Sequence, residues 1–270
     1  MRFQDKVVLV TGAARGMGRN HCLRFAKEGA DLVISDIASN PSGLMSKQNM
    51  ASNKELEEVY AEVHNIGRSA LLVKCDVGKG EDVRNMIDKA MNEYGKIDVL
   101  VNNAGFQTHS SIEDMSEESF DSVINVNLKG TFLTSKYILP HMKKRKYGKI
   151  VNISSTAGLR GFANSAHYCA AKAGVIKFTE SLAVESAPWN INVNAIAPGA
   201  VPTTFLRGLA DSLGLDYKKW FNDEIVAKYH LFKTAVDPQS ISNMVLYLSS
   251  DDAKDMTGQV VGIDQGTLIH

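Results

Sequence analysis

Tyr168 and Lys172, a phenol and an amine four residues apart, are residues whose types and spacing could do acid–base chemistry. Positions i and i+4 share one face of a helix, so both side chains can reach a single site. A phenol titrates near pH ~10 and is a poor base at neutral pH. A nearby ammonium favours the phenolate, and a second positive charge would favour it further. Such a string also arises by chance on solvated helix faces. Its meaning therefore depends on what else the chain places around it.

A second constellation stands at the other end of the chain. Thr11-Gly12-Ala13-Ala14-Arg15-Gly16-Met17-Gly18 joins an apolar run to a helical pattern. Glycines permit a tight turn and close backbone approach to a pyrophosphate, and the helix that follows offers free N–H donors and its positive dipole end. Asp36 closes the next apolar run. A carboxylate there can accept hydrogen bonds from adenosine ribose hydroxyls and would repel a 2′-phosphate. Two like charges about 4 Å apart cost about 4 kcal/mol at an intermediate dielectric, which favours NAD over NADP. Arg15, a cation in the glycine loop, argues the other way.

The Gly-x-x-x-Gly-x-Gly spacing of Gly12, Gly16 and Gly18 resembles the first turn of the short-chain dehydrogenase/reductase family. The resemblance runs from about Lys6 to Gly266 through motifs in the family's order: Cys75-Asp76-Val77, Asn102-Asn103-Ala104-Gly105, Val126-Asn127-Leu128-Lys129-Gly130, Ser155, Tyr168 with Lys172, and Pro198-Gly199. It implies that Asp76 and Val77 contact the adenine and that Asn103, Ala104 and Gly105 line the cofactor. Arg15, Gly16, Met17 and Gly18 would complete the pyrophosphate turn. Pro198, Gly199 and Val201 would run beside the nicotinamide, and Thr203, or Thr204, would bind its amide. Ile37 stands where NADP-binding members often carry a basic residue, so the cofactor expected is NAD. Ser155 would hold the substrate oxygen, with Ser154 structural. Lys172 would tune Tyr168 and bind the nicotinamide ribose. Asn127, rather than Asn125, would disturb its helix and hold a water linked to Lys172. The implied reaction is hydride transfer between a secondary alcohol, or its ketone, and NAD(H).

These residues need elements to hold them. Apolar runs at Lys6–Thr11, Asp31–Asp36, Ser69–Cys75, Ile97–Asn102, Lys149–Ser154, Asn190–Ala195 and Gln259–Ile263 read as strands. Between them lie helical patterns at about Met17–Glu28, Lys54–Ile66, Glu81–Tyr94, Ser116–Lys146 (in two pieces), His167–Ala187 and Pro238–Ser249. Strands alternating with long helices imply parallel crossover pairing, and the unbroken Val/Ile/Leu runs imply helices on both faces. The expected fold is α/β: one doubly wound Rossmann domain over residues 1–270, with a mostly parallel seven-stranded sheet.

Composition agrees with a globular protein of this kind. The 270 residues are 44% hydrophobic, and 30 basic residues balance 30 acidic ones. A neutral total gives no electrostatic case for nucleic acid or an anionic membrane as partner. Cys22, Cys75 and Cys169 show no disulfide framework, and the seven histidines no ligand spacing, so neither a metal nor an oxidising compartment is expected. No signal peptide or membrane span is evident, and a cytoplasmic setting is expected. His167 reads as an ordinary polar neighbour of Tyr168.

Two segments depart from a minimal member. Ala38–Asn53 lengthens the connection after the second strand and resembles an insertion in carveol-dehydrogenase-like members: a flap over the adenosine, or a tolerated surface loop. Thr203–Phe232 carries Phe205, Leu206, Leu209, Leu213, Tyr217, Trp220 and Phe221. It reads as a lid for a cyclic or hydrophobic alcohol, such as a steroid or terpenoid, or as an amphipathic helix packed on the body. A polyol or sugar dehydrogenase is the alternative within the family, and an idle NAD-binding regulator the alternative outside it. Family resemblance implies a homotetramer.

Overall fold

The structure is a computed structural model that describes residues 1–38 and 50–269. Seven strands form one sheet: β1 (Val7–Thr11), β2 (Asp31–Asp36), β3 (Ala70–Lys74), β4 (Val99–Asn102), β5 (Gly148–Ile153), β6 (Ile191–Pro198) and β7 (Val260–Ile263). Their order is β3-β2-β1-β4-β5-β6-β7, and all six pairings are parallel. The chain winds outward from β1 to β3, then returns to place β4 on the other side of β1. That reversal leaves a crevice at the carboxyl ends of β1 and β4, where open α/β sheets bind ligands.

Period-two alternation in the strands sorts their side chains between two cores. Val8, Val10, Leu32, Ile34, Val99 and Val101 face helices α1 (Gly16–Lys27), α2 (Asn53–Asn65) and α10 (Pro238–Ser249), where Phe25, Leu56 and Val245 meet them. Val7, Leu9, Val33, Leu100 and Ile150 face the opposite way. They pack on α3 (Gly80–Tyr94), α5 (Gly130–Arg145) and α6 (Ala166–Ser186) through Met86, Ile138 and Ala171. β1 is buried along its whole length, as a central strand covered on both faces must be.

The helical pattern of Ser116–Lys146 is interrupted as expected. Helix α4 (Glu117–Ile124) passes into a π-helical turn over Asn125–Lys129 before α5 begins. Strand β6 runs further than its apolar core predicts, to Pro198, because Ile196–Pro198 pair with Val261–Ile263 of β7. Beyond β6 the chain forms α7 (Thr204–Ser212), α8 (Tyr217–Lys219), a second π-helical turn at Trp220–Val226 and α9 (Ala227–Tyr229). No helix among the described residues is long and apolar enough to cross a membrane.

Candidate active site

A cavity of about 550 Å³ opens at the carboxyl edge of the sheet. One end is built by the glycine loop. Gly12 and Gly16 have φ of +64° and +56°, a backbone conformation that side chains disfavour. Gly18 lies off the cavity wall, and its role is packing: a Cβ there would stand 2.0 Å from the Gly12 carbonyl oxygen. The loop is held from below by Asn103, whose Nδ2 donates to the carbonyls of Thr11 (2.9 Å) and Gly12 (3.0 Å). The Thr11 hydroxyl accepts from the backbone N–H of Asn103 and Ala104, both at 3.1 Å. Arg15, Gly16, Met17, Asn103, Ala104 and Gly105 all face the cavity, and α1 has no acidic residue in its first turn to oppose a bound anion.

Asp36 lines the same end, with Ile37 beside it. Its carboxylate accepts from Ala14 N–H at 3.0 Å and from Ala38 N–H at 3.4 Å. Burial pushes its carboxyl up, opposed by these N–H groups and by the Arg15 guanidinium. Arg15 therefore faces an acidic partner. Asp76 and Val77 complete this end; Asp76 accepts from Gly78 N–H at 3.0 Å and pairs with Lys79. Of the long connection, Met50 and Ala51 reach the wall, while residues 39–49, on which the flap reading falls, lie outside the described residues.

At the other end stand Ser155, Tyr168, Lys172 and Asn127. Ser155 follows β5, and its hydroxyl accepts from Ala157 N–H at 3.1 Å, capping a short turn. That turn lies tight against α6: a Cβ on Gly158 would come within 2.8 Å of the Lys172 carbonyl. Ser154 also borders the cavity, but its hydroxyl is engaged, donating to the Lys172 carbonyl at 2.9 Å. Lys172 is 4% exposed, donates from Nζ to the Ile153 carbonyl at 2.9 Å, and lies 5.6 Å from the centre of the Tyr168 ring. Burial pushes Lys172 down to about 8 and Tyr168 up to about 12, while the Ser155 hydroxyl pulls Tyr168 back toward ionisation.

Asn127 sits inside the first π-helical turn and is 1% exposed. Its Nδ2 donates to the carbonyls of Phe106 (2.7 Å) and Val123 (2.9 Å), and its Oδ1 has no partner. A Cβ on Gly105 would stand 2.6 Å from that Oδ1 and 3.5 Å from Lys172 Nζ. An unfilled acceptor and a buried ammonium thus border one point. Asn125 is engaged elsewhere, accepting from Lys129 at 2.9 Å.

Pro198, Gly199, Val201, Thr203 and Thr204 line the wall between the two ends. The Thr203 methyl would be 3.7 Å from a Cβ on Gly16. From Thr203–Phe232, Phe205, Leu206, Leu209, Trp220 and Ile225 face the cavity, and Phe205 lies 6.3 Å from the Tyr168 ring. Leu213 and Tyr217 do not line it; Tyr217 stacks on buried Phe221 at 5.5 Å. His167 points behind the wall, bonded to Thr108 Oγ1 at 2.6 Å. The sequence gives no local signal for Gln107, His109, Phe162, Asn164, Glu224 or Tyr229, which also line the cavity. Their places depend on how loops meet over the sheet.

Residues 6–213 match the short chain dehydrogenase family, and the chain belongs to it. The chain is 36% identical to a 3-oxoacyl-(acyl-carrier-protein) reductase of Thermotoga maritima, covering 100% of both proteins. It is 38% identical to a trans-4-hydroxycyclohexanecarboxylate dehydrogenase of Sinomonas cyclohexanicum, covering 98% of this chain and 93% of that protein. The crystal structure of carveol dehydrogenase from Mycobacterium avium in complex with NAD superposes with a TM-score of 0.92 at 32% identity, over 100% and 99% of the two chains.

Proposed function

We propose that this oxidoreductase transfers hydride between a secondary alcohol, or its ketone, and NAD(H). The observation that carries this reading is the convergence of Ser155, Tyr168 and Lys172 at one end of a cavity whose other end is a glycine loop and Asp36. The residues present fit NAD. Positive-φ glycines and the open start of α1 suit a pyrophosphate. Asp36 suits unsubstituted ribose hydroxyls and disfavours a 2′-phosphate. Asp76 and Val77 would border the adenine, Gly105, Pro198, Gly199 and Val201 the nicotinamide, and Thr203 its amide. NAD, when bound, supplies the hydride acceptor.

The chain's own residues orient the substrate and manage its proton. The Ser155 hydroxyl holds the substrate oxygen beside the Tyr168 hydroxyl. Ionised Tyr168 takes the alcohol proton; in the reverse direction its O–H donates to the ketone. Lys172 stabilises the phenolate and would bind the nicotinamide ribose. A water between Asn127 Oδ1 and Lys172 Nζ would fill the orphaned acceptor and carry the proton outward.

Phe205, Leu206, Leu209, Trp220 and Ile225 make Thr203–Phe232 a lid over the substrate and favour a cyclic or hydrophobic alcohol, such as a terpenoid or steroid, over a polyol. The similarity to a cyclohexane-ring dehydrogenase and to carveol dehydrogenase supports the same class. The reading extends to a cytoplasmic homotetramer of one domain per chain. Exposed Phe120 and Phe132 on α4 and α5, and Phe232 at 77% exposure, offer apolar surface for such contacts. Light scattering would test the assembly.

The test of function is a panel of terpenoid, steroid, cyclic and polyol substrates assayed with NAD and NADP by formation of reduced nicotinamide. Turnover of cyclic alcohols with NAD, abolished in Tyr168→Phe, is expected. Retained nucleotide binding with no turnover of any alcohol would instead make the chain an idle NAD-binding regulator.

A further inference from the structure

Arg160 is partly buried but does not line the cavity. Its guanidinium carbon lies 5.2 Å from the centre of the Phe162 ring and 5.4 Å from that of Tyr229. The two rings meet edge to face at 6.2 Å. The same guanidinium donates from Nη1 to the Thr267 carbonyl at 2.9 Å. Phe162, Tyr229 and Thr267 all line the cavity. They come from three separate stretches: the loop after Ser155, the end of the lid, and the segment beyond β7.

Two of these stretches are also tied to each other directly. The lid's end is tied to the C-terminal segment through Leu231 N–H to the Gln265 carbonyl (2.8 Å), and to its own turn through His230 Nδ1 and the Thr234 carbonyl (2.6 Å). Arg160 brings the Ser155 loop into contact with both. A guanidinium is suited to this, because its flat faces stack on rings while its edge donates hydrogen bonds. Lysine has one compact charge and cannot hold two rings and a carbonyl in the same fixed geometry.

We propose that Arg160 is a positioning residue that sets substrate specificity. It clasps Phe162 and Tyr229 into one aromatic wall and joins the lid to the loop that carries Ser155. The wall acts on the part of the substrate remote from the reacting carbon, so Arg160 governs affinity for bulky alcohols and leaves the proton chemistry of Tyr168 alone. This rests on the alcohol dehydrogenase reading above for its kinetic consequence, though the clasp itself does not.

The test compares wild type, Arg160→Ala and Arg160→Lys on a bulky cyclic alcohol (carveol) and a small one (2-butanol), with NAD. For Arg160→Ala, kcat/KM for carveol should fall about tenfold, carried by KM, as expected for loss of a partly desolvated cation–π pair. The value for 2-butanol should stay within about twofold, and Arg160→Lys should recover only part of the loss. Equal losses on both alcohols, or none on carveol, would overturn the proposal. A second arm needs no substrate: hydrogen exchange across Tyr217–Tyr229 should quicken in Arg160→Ala, and unchanged exchange would also overturn it. If wild type turns over neither alcohol while exchange responds, the functional reading fails and the clasp stands.

Discussion

Replacing Lys172 by methionine removes a buried cation centred 5.6 Å from the Tyr168 ring. At an effective dielectric of ~20, unit charges at that separation interact by about 3 kcal/mol, or about two pKa units. Burial, against the pull of the Ser155 hydroxyl, pushes Tyr168 up to about 12. A charged Lys172 lowers the phenol from there, and the positive charge of oxidised NAD, when bound, would lower it further. Lys172 itself is pushed down to about 8; a phenolate beside it favours its charged form, so the two groups titrate as a pair. Alcohol oxidation requires the phenolate, so its rate rises with pH, whereas ketone reduction requires the phenol and falls with pH. In Lys172→Met the rising limb should move about two units alkaline, with a fall of about a hundredfold at neutral pH that recovers above the new limb. The assay is a pH profile of kcat under saturating NAD and alcohol. A profile lowered by one factor at every pH, with its limb unmoved, would refute the electrostatic role and leave Lys172 with binding alone.

The same lysine gives a stability prediction. Its folded pKa of about 8 lies below the ordinary ~10.5, so below pH 8 the buried charge costs about 3 kcal/mol. The cost fades between those two values, where the unfolded chain binds more protons, and is absent above them. Urea unfolding of the cofactor-free protein should therefore show wild type gaining up to about 3 kcal/mol relative to Lys172→Met as pH rises through that window. Asp36→Ala should lower the NAD-to-NADP preference in kcat/KM by at least about a hundredfold, with some loss of stability as Ala14 N–H loses its acceptor. A preference unchanged in that variant would remove Asp36 from cofactor choice. Gly18→Ala should abolish dinucleotide binding and lower Tm, because its Cβ meets the Gly12 carbonyl at 2.0 Å and the loop must move; fluorescence titration with NADH reads this. Ser155→Ala should cut kcat by about 10²- to 10³-fold with Tm little changed, and kcat near wild type would discount its hold on the substrate oxygen.

Much of the fold was legible from side-chain pattern. Strands buried on both faces must be apolar throughout, so β1, β2 and β4 announce themselves as Val/Ile/Leu runs. Pro198 is paired in β6 despite lying beyond the apolar core, because β7 extends alongside it. The break in the helix at Asn127 was implied by the family resemblance, but its unpartnered Oδ1 is a fact of packing. The lid's division of labour was not legible: Leu209 and Trp220 face the cavity, while Phe221 is buried under Tyr217.

By itself the sequence determined the family's motifs, their order and the chemistry their residue types permit: a phenol four positions from an amine, and glycines where a pyrophosphate must approach. Those follow from covalent structure and local geometry. The tertiary structure decided what surrounds them. It buries Lys172 enough to bring its pKa to about 8, engages the Ser154 hydroxyl with the Lys172 carbonyl while leaving Ser155 beside Tyr168, and closes the far wall with Phe162 and Tyr229, with Arg160 against both rings. Such contacts join residues far apart in the chain, and their energies depend on desolvation and distance, which no local pattern encodes.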